Sequence, residues 1–287
     1  LKKLLREIIG FSLVKWFFLS RKKLHPVLSV TCHYPSVDML RNIINQLQKH
    51  GYRICSLDTV ADLLQRASDR EKVAVITLDD AWNSNLDLLP LLEERKVPLA
   101  IFVPTEPVEA GNFWWEYARK AVEENGSELP DVKAFKNLPD NDRRSMVDML
   151  KNRYSLDRSC VTRQQLQQLS SSPWITLGSH TVNHPILHRC SKEQQERELI
   201  DSKAILQEWT NSPVRYFAYP NGDYDQETVA LVQKAGYRLA FTDRHGDICL
   251  PWNKPLEIPR NSLNEHGGYY ENYAKLIGIW QKVLGEN

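Results

Sequence analysis

The chain has 287 residues, 42% of them hydrophobic and 25% charged, with a formal net charge of +1. This is the composition of a folded globular protein with room for one large domain or two small ones, and near-neutral charge argues against a nucleic-acid partner. The five cysteines are far apart and form no C-x-x-C, so neither a thiolate zinc site nor a disulfide framework is indicated, and a reducing compartment fits.

Residues 1–25, "LKKLLREIIGFSLVKWFFLSRKKLH", are apolar-rich with basic residues at both ends and Lys15 in the middle. The uninterrupted apolar part is shorter than the about 20 residues that cross a bilayer. No small-residue cleavage site follows, so no cleavable signal peptide is evident. Leu1, Leu4, Leu5 and Ile8 fall on one helical face, with Lys2, Lys3 and Arg6 beside them. The pattern suits a helix lying in a membrane interface, anchored by Trp16, Phe17 and Phe18. It suits equally an amphipathic helix packed on the domain's own surface.

From Pro26 onward, apolar and β-branched runs alternate with helical patterns. Strands are predicted at 27–31, 53–56, 73–78, 99–103, 174–178, 214–219, 239–242 and 257–259. Helices are predicted at 37–50, 86–95, 192–209 and 226–235, the last closed by Gly236. About eight strands alternating with helices indicate a parallel sheet closed as a barrel. The stretch 106–172, which holds "FWWEYARKAVEENG", exceeds one strand-to-helix connection and reads as an inserted helical segment over one rim.

In such a barrel the chemistry lies at the C-terminal strand ends. Those ends carry Cys32-His33-Tyr34, Asp79-Asp80, Ser179-His180, Pro220-Asn221-Gly222, Asp243 and Arg260-Asn261, a set rich in metal ligands and proton carriers. His180 and His184 are four apart, which on a helical turn aims both imidazoles the same way and suits a divalent ion. The alternative is a turn cap and a packing residue. His188, beyond Pro185, reads as a surface residue. Asp79 and Asp80 point in different directions, so one can bind metal while the other acts as a base. They read equally well as an Asx-turn and helix-cap pair.

Taken together, these residues resemble the polysaccharide deacetylase family (the NodB-homology domain). Its Thr-Phe-Asp-Asp-Gly motif is matched by Thr77-Leu78-Asp79-Asp80-Ala81, and its His-Ser/Thr-x-x-His motif by His180-Thr181-Val182-Asn183-His184. A third motif of one branch is matched by Arg215-Tyr216-Phe217-Ala218-Tyr219-Pro220-Asn221-Gly222. The resemblance spans roughly 26–263. It implies a distorted (β/α) barrel of seven or eight strands and removal of N-acetyl groups from sugars by a metal-dependent hydrolase. It further implies one divalent ion, zinc first among several that two histidines and a carboxylate accept.

Carried over by residue, the resemblance makes Asp79 the general base, held ionised by Arg215, and Asp80, His180 and His184 the metal ligands. Backbone N–H groups near Asn221 and Gly222 would face the oxyanion. The family's late Leu-x-His motif is not clearly matched, since "LNEH" is one residue too long. His33, in a His-Tyr context after the first strand, is the first choice as general acid, with a turn residue bonded to backbone as its other reading, and His266 is the alternative acid. Trp82, Tyr219, Pro220 and Arg260 are assigned to substrate binding, with Arg260 also suited to pair a carboxylate or to form a surface salt bridge. Phe113, Trp114 and Trp115 suit sugar stacking or buried packing equally. Ala81 stands where the family has glycine, which is costly if that position needs a positive φ.

The partners implied are an N-acetylated carbohydrate, such as a lipid-linked or surface glycan intermediate, and a membrane surface met by residues 1–25. The expected location is the bacterial cytoplasm or inner membrane. Rival readings are a metal amidohydrolase or esterase on another substrate, and a catalytically inactive sugar-binding relative.

Overall fold

The computed structural model describes residues 1–66, 71–125 and 131–285. Residues 67–70, 126–130 and 286–287, which fall in the expected barrel domain and its insertion, lie outside the described residues. The strands are β1 (Val27–Cys32), β2 (Arg53–Ile54), β3 (Val73–Asp79), β4 (Leu99–Val103), β5 (Ile175–Ser179), β6 (Tyr216–Ala218), β7 (Leu239–Phe241) and β8 (Asn261–Ser262). They form one parallel sheet in the order β7-β6-β5-β4-β3-β1-β8, with β2 also paired to β3.

The final segment explains how the sheet curls. Ile258 bridges Phe241 of β7 in parallel, and β8 then pairs with Val30 and Thr31 of β1. One short stretch therefore touches both edges of the curled sheet, and Pro259-Arg260 falls at the seam. The expected last strand at 257–259 is accordingly displaced, its regular part being Asn261–Ser262.

Side-chain alternation on β3 places the chemistry. Ala74, Ile76 and Leu78 join the large cluster that packs under the helices, whereas Val73 and Val75 join the inner cluster with Ala100, Phe102 and Phe241. Successive strand residues face opposite sides, so this inward row continues through Thr77 to Asp79. The α3 helix (Leu57–Leu63) contributes to the same inner cluster and closes its N-terminal end.

The helices α2 (Val37–Lys49), α10 (Lys192–Thr210) and α11 (Gln226–Lys234) match the sequence expectation closely. A 3-10 turn at Asn83–Leu88 precedes α4 (Leu89–Arg95), where one continuous helix was expected. Among the described residues of the stretch 106–172, the helices are α5 (Thr105–Ala110), α6 (Trp114–Asn125), α7 (Val132–Asn137), α8 (Asp140–Arg153) and α9 (Arg163–Ser171). The α1 helix (Lys2–Leu19) packs against α12 (Tyr269–Leu276) and α13 (Ile279–Leu284), two helices the sequence reading did not anticipate. No described helix is long and apolar enough to cross a membrane.

Candidate active site

One pocket of about 430 Å³ opens at the C-terminal ends of the strands and is lined by Asp79, Asp80, His180, His184, His33 and Trp82, among others. Asp79 ends the inward row of β3 and is buried there. Its partner is Arg260, not Arg215. The Arg260 guanidinium donates to Asp79 Oδ1 at 2.8 Å and Oδ2 at 2.7 Å. It also donates to Asp243 Oδ1 (2.5 Å), Thr77 Oγ1 (3.2 Å) and the Thr242 carbonyl (2.9 Å). All five of its N–H donors are therefore used, and it is too enclosed to meet substrate directly. Burial alone would raise the Asp79 carboxyl, but the guanidinium beside it prevails and holds it below the usual carboxylate range.

The motif-derived role of Arg215 fails for a topological reason. Arg215 immediately precedes β6, so it lies at the opposite end of the barrel from the pocket. There it is half-exposed and meets Asp58 at the start of α3, at 3.3 Å.

The histidine pair follows β5. The His180 backbone N–H continues the ladder to Val103, and its Nδ1–H donates to the Ala218 carbonyl at 2.7 Å, leaving Nε2 as a free acceptor. The expected helical turn is absent. Thr181 (φ 71°) and His184 (φ 48°) are both left-handed, and the His184 N–H bonds Thr181 Oγ1 at 3.1 Å. This tight turn brings the two rings to 4.7 Å between centroids.

Glu198, on the buried face of α10, fastens the turn. It accepts from the Val182 and Asn183 backbone N–H groups at 2.8 and 2.9 Å and from the Asn183 side chain at 2.6 Å. Trp114 Nε1 donates to the His184 carbonyl at 3.1 Å, and Trp115 packs edge-on to the His184 ring at 4.7 Å. Phe113, Trp114 and Trp115 are all buried, so packing accounts for this aromatic run, although Trp115 also reaches the pocket wall.

Asp80, just past β3, completes the group. Its Oδ1 lies 3.8 Å from His180 Nε2 and 3.5 Å from His184 Nε2. One ligand atom from each of the three lies within 4.8 Å of the others. Asp80 Oδ1 is buried without a hydrogen-bond partner, and Oδ2 accepts from Trp82 Nε1 at 3.3 Å. Burial pushes the Asp80 carboxyl up and, with the neighbouring His180, pushes the His184 imidazole well down, which leaves His184 neutral. A buried orphan carboxylate oxygen facing two imidazole nitrogens at these spacings, with His184 Nδ1 also buried and unpartnered, is relieved by a cation held between them. Two imidazoles and a carboxylate fit a divalent ion such as zinc.

The backbone around this group is strained. Asp80 (φ 77°), Ala81 (φ 58°) and Asn221 (φ 56°) join Thr181 and His184 in the left-handed region. The position where the family has glycine does need a positive φ, and here alanine adopts it, with its methyl buried in the main core cluster.

His33 follows β1. Its backbone N–H (2.6 Å) and Nδ1 (3.2 Å) both meet Glu265 Oε1, and its carbonyl accepts from Asn85 Nδ2. Burial disfavours the imidazolium, but the Glu265 bond and the charges of Asp80 and Asp79 outweigh it and raise the pKa to about 9. His33 thus carries a proton at neutral pH. His266 contacts the Tyr34 hydroxyl at 3.3 Å and is not among the residues lining the pocket.

After β6, Asn221 lines the pocket with its side-chain Nδ2 buried and unpartnered. The Gly222 N–H is already bonded to the Tyr219 carbonyl at 2.8 Å, which removes it as an oxyanion donor. The Tyr219 side chain turns into the core, bonding the Leu256 carbonyl at 2.9 Å, and Pro220 is buried beside it. Trp82 does line the pocket, between Tyr34 and Phe113. Sequence reasoning missed Glu265, Glu198 and the role of Asp243. The one visible signal was Glu198, a charged residue on the otherwise core-facing side of α10, beside Leu199 and Leu206.

The arrangement is that of a hydrolytic site, with a cation-ready triad, an ionised carboxylate and a protonated histidine in one pocket. The chain superposes on IcaB from Ammonifex degensii with a TM-score of 0.62 at 19% identity, covering 89% of this chain and 98% of that one. It superposes on the Streptococcus pyogenes deacetylase PplD, solved in complex with acetate, with a TM-score of 0.56 at 18% identity, covering 88% and 98%. A Bacillus subtilis (strain 168) protein, whose provisional name is polysaccharide deacetylase YxkH, is 29% identical over 86 residues. That match covers 30% of this chain and 30% of the relative, so the chain matches under a third of that relative's length. The family model for polysaccharide deacetylase matches residues 66–240, more than half of the chain. The chain belongs to the polysaccharide deacetylase family.

Proposed function

We propose that the protein is a metal-dependent hydrolase that removes N-acetyl groups from an amino-sugar glycan. The observation that carries this reading is the Asp80, His180 and His184 triad beside an Arg260-held Asp79 in a single pocket. A divalent ion held by the triad, zinc being the first candidate, would polarise the acetamide carbonyl and lower the pKa of the attacking water.

The chain's own residues supply the remaining steps. Asp79, kept ionised by Arg260, takes a proton from the attacking water as the new C–O bond forms. The Asn221 side-chain amide is free to donate to the developing oxyanion. His33, protonated and oriented by Glu265, delivers its proton to the amine nitrogen as the C–N bond breaks. The products are acetate and a free amino sugar. Trp82 and Tyr34 offer aromatic faces at the mouth for the sugar ring.

The decisive assay is acetate release from N-acetylated glucosamine oligosaccharides, with and without a chelator. The reading requires chelator-sensitive release that returns when a divalent ion is restored. Absence of such release from every N-acetylated glycan tried would refute it.

A further inference from the structure

We infer that α1 seats the protein on an anionic lipid surface through its outward stripe. The helix is apolar on two opposite faces. Gly10, Val14 and Phe17 are buried against α12 and α13. At Gly10 the approach is so close that an added Cβ would come within 2.5 Å of the Tyr270 backbone, so the inward face is committed to the protein.

Leu1, Leu4, Leu5, Ile8, Trp16 and Leu19 recur at helical spacing on the other face, and all are exposed. Leu4 is 62%, Leu5 56% and Ile8 54% exposed. Among the described residues, seven of the fifteen exposed large hydrophobic side chains belong to this helix, and Leu1 directly precedes it. A soluble helix normally turns polar residues outward, and an apolar stripe this dense marks a second surface to be covered.

Charge identifies what covers it. Lys2, Lys15, Arg21, Lys22 and Lys23 are all exposed around the stripe. The single acid in the segment, Glu7, is turned inward onto the Tyr270 and Glu271 backbone N–H groups. Tyr269 and Tyr270 on α12 add exposed aromatic side chains beside it. Leucines flanked by lysines and aromatic rings fit the headgroup boundary of an anionic bilayer, with the helix axis in the membrane plane. Lys3 lines a groove of about 320 Å³ that runs to Glu265, the carboxylate that holds His33. The docking helix and the catalytic pocket are therefore neighbours.

The test is sedimentation of the full chain with phosphatidylcholine vesicles, with and without phosphatidylglycerol. Binding is expected to require the anionic lipid, to weaken as salt is raised, and to fall about tenfold or more in a Leu5→Gln/Ile8→Gln double variant. Because both side chains face outward, the thermal unfolding of that variant should match the parent. Failure to bind anionic vesicles, or equal binding by the double variant, overturns the inference. A dimer in vesicle-free solution that the same variant disperses, with no vesicle binding by the parent, assigns the stripe to a second copy and overturns it as well.

Discussion

Replacing Arg260 by leucine removes all five hydrogen bonds of its guanidinium and leaves Asp79 buried without its cation. Breaking a buried ion pair from one side costs about 3–5 kcal/mol, because the remaining charge stays desolvated. For 287 residues the unfolding entropy is roughly 0.6 kcal/mol per degree, so Tm should fall by about 5–8 °C. The pH dependence is diagnostic. In the parent, the lowered Asp79 pKa contributes stability that is complete above about pH 4 and is lost as the pH falls through the folded value. In the leucine variant the dominant opposing charge is gone and burial is countered only by His180 and His33, so the Asp79 carboxyl rises, the penalty applies at high pH and it is relieved on acidification. The Tm gap between parent and variant should therefore narrow from about pH 7 to about pH 4. Arg215→Leu is the control. It removes an exposed pair with Asp58, worth about 0–1 kcal/mol, or at most about 2 °C. Calorimetry or circular dichroism of both variants decides the matter. An Arg215→Leu loss equal to or larger than that of Arg260→Leu, or a gap that does not narrow with acid, would refute the reasoning.

Three further predictions follow from the site. Glu198→Ala strips three donors in the 181–184 turn of their acceptor and should weaken divalent-ion affinity about 10–100-fold, measured by competition with a chromophoric chelator. Glu265→Gln removes one of the three carboxylates that raise His33, the one hydrogen-bonded to it. The acid form of His33 exists below about pH 9 in the parent and is lost as the pH rises through it, so the alkaline limb of the pH–rate profile should move to lower pH. A charge-neutralising ion at Asp80 lowers both starting limbs without changing that direction. Ala81→Gly relieves about 1–2 kcal/mol of left-handed strain but loses a buried methyl worth about 0.8 kcal/mol and adds about 0.5–1 kcal/mol of unfolded-chain entropy. These terms nearly cancel, so Tm should move by no more than about 2 °C and turnover should hold. A large gain in activity would instead mark Ala81 as a catalytic lesion.

Local periodicity carried much of the architecture. The inward row of β3 is visible as alternation, and Asp79-Asp80 at its end follows from strand length alone. The His180 and His184 pair was legible as spacing, although the spacing acts through a left-handed turn stabilised by Thr181 and Glu198 rather than through a helix. The Arg260 pairing was not legible in the same way. It joins residues 181 apart across the seam where the last strand meets both sheet edges, and no local pattern encodes that closure. Arg215 was misassigned because a motif match outweighed strand direction. A residue that precedes a parallel strand lies at the end opposite the pocket. Glu265 lay inside the "LNEH" run searched for a histidine, and its contact with His33 depends on a loop 232 residues away. The segment 269–284 has a dense aromatic and aliphatic run whose helices were passed over, and with them the support on which α1 rests.

The central claim is that two adjacent acids divide the work, Asp80 holding the ion and Asp79 moving the proton. The direct test measures bound divalent ion per chain and acetate release on the same preparations of the parent, Asp79→Asn and Asp80→Asn. The account predicts that Asp79→Asn retains its ion and loses turnover, while Asp80→Asn loses both. An Asp80→Asn protein that keeps ion and activity, or an Asp79→Asn protein that turns over like the parent, would contradict it.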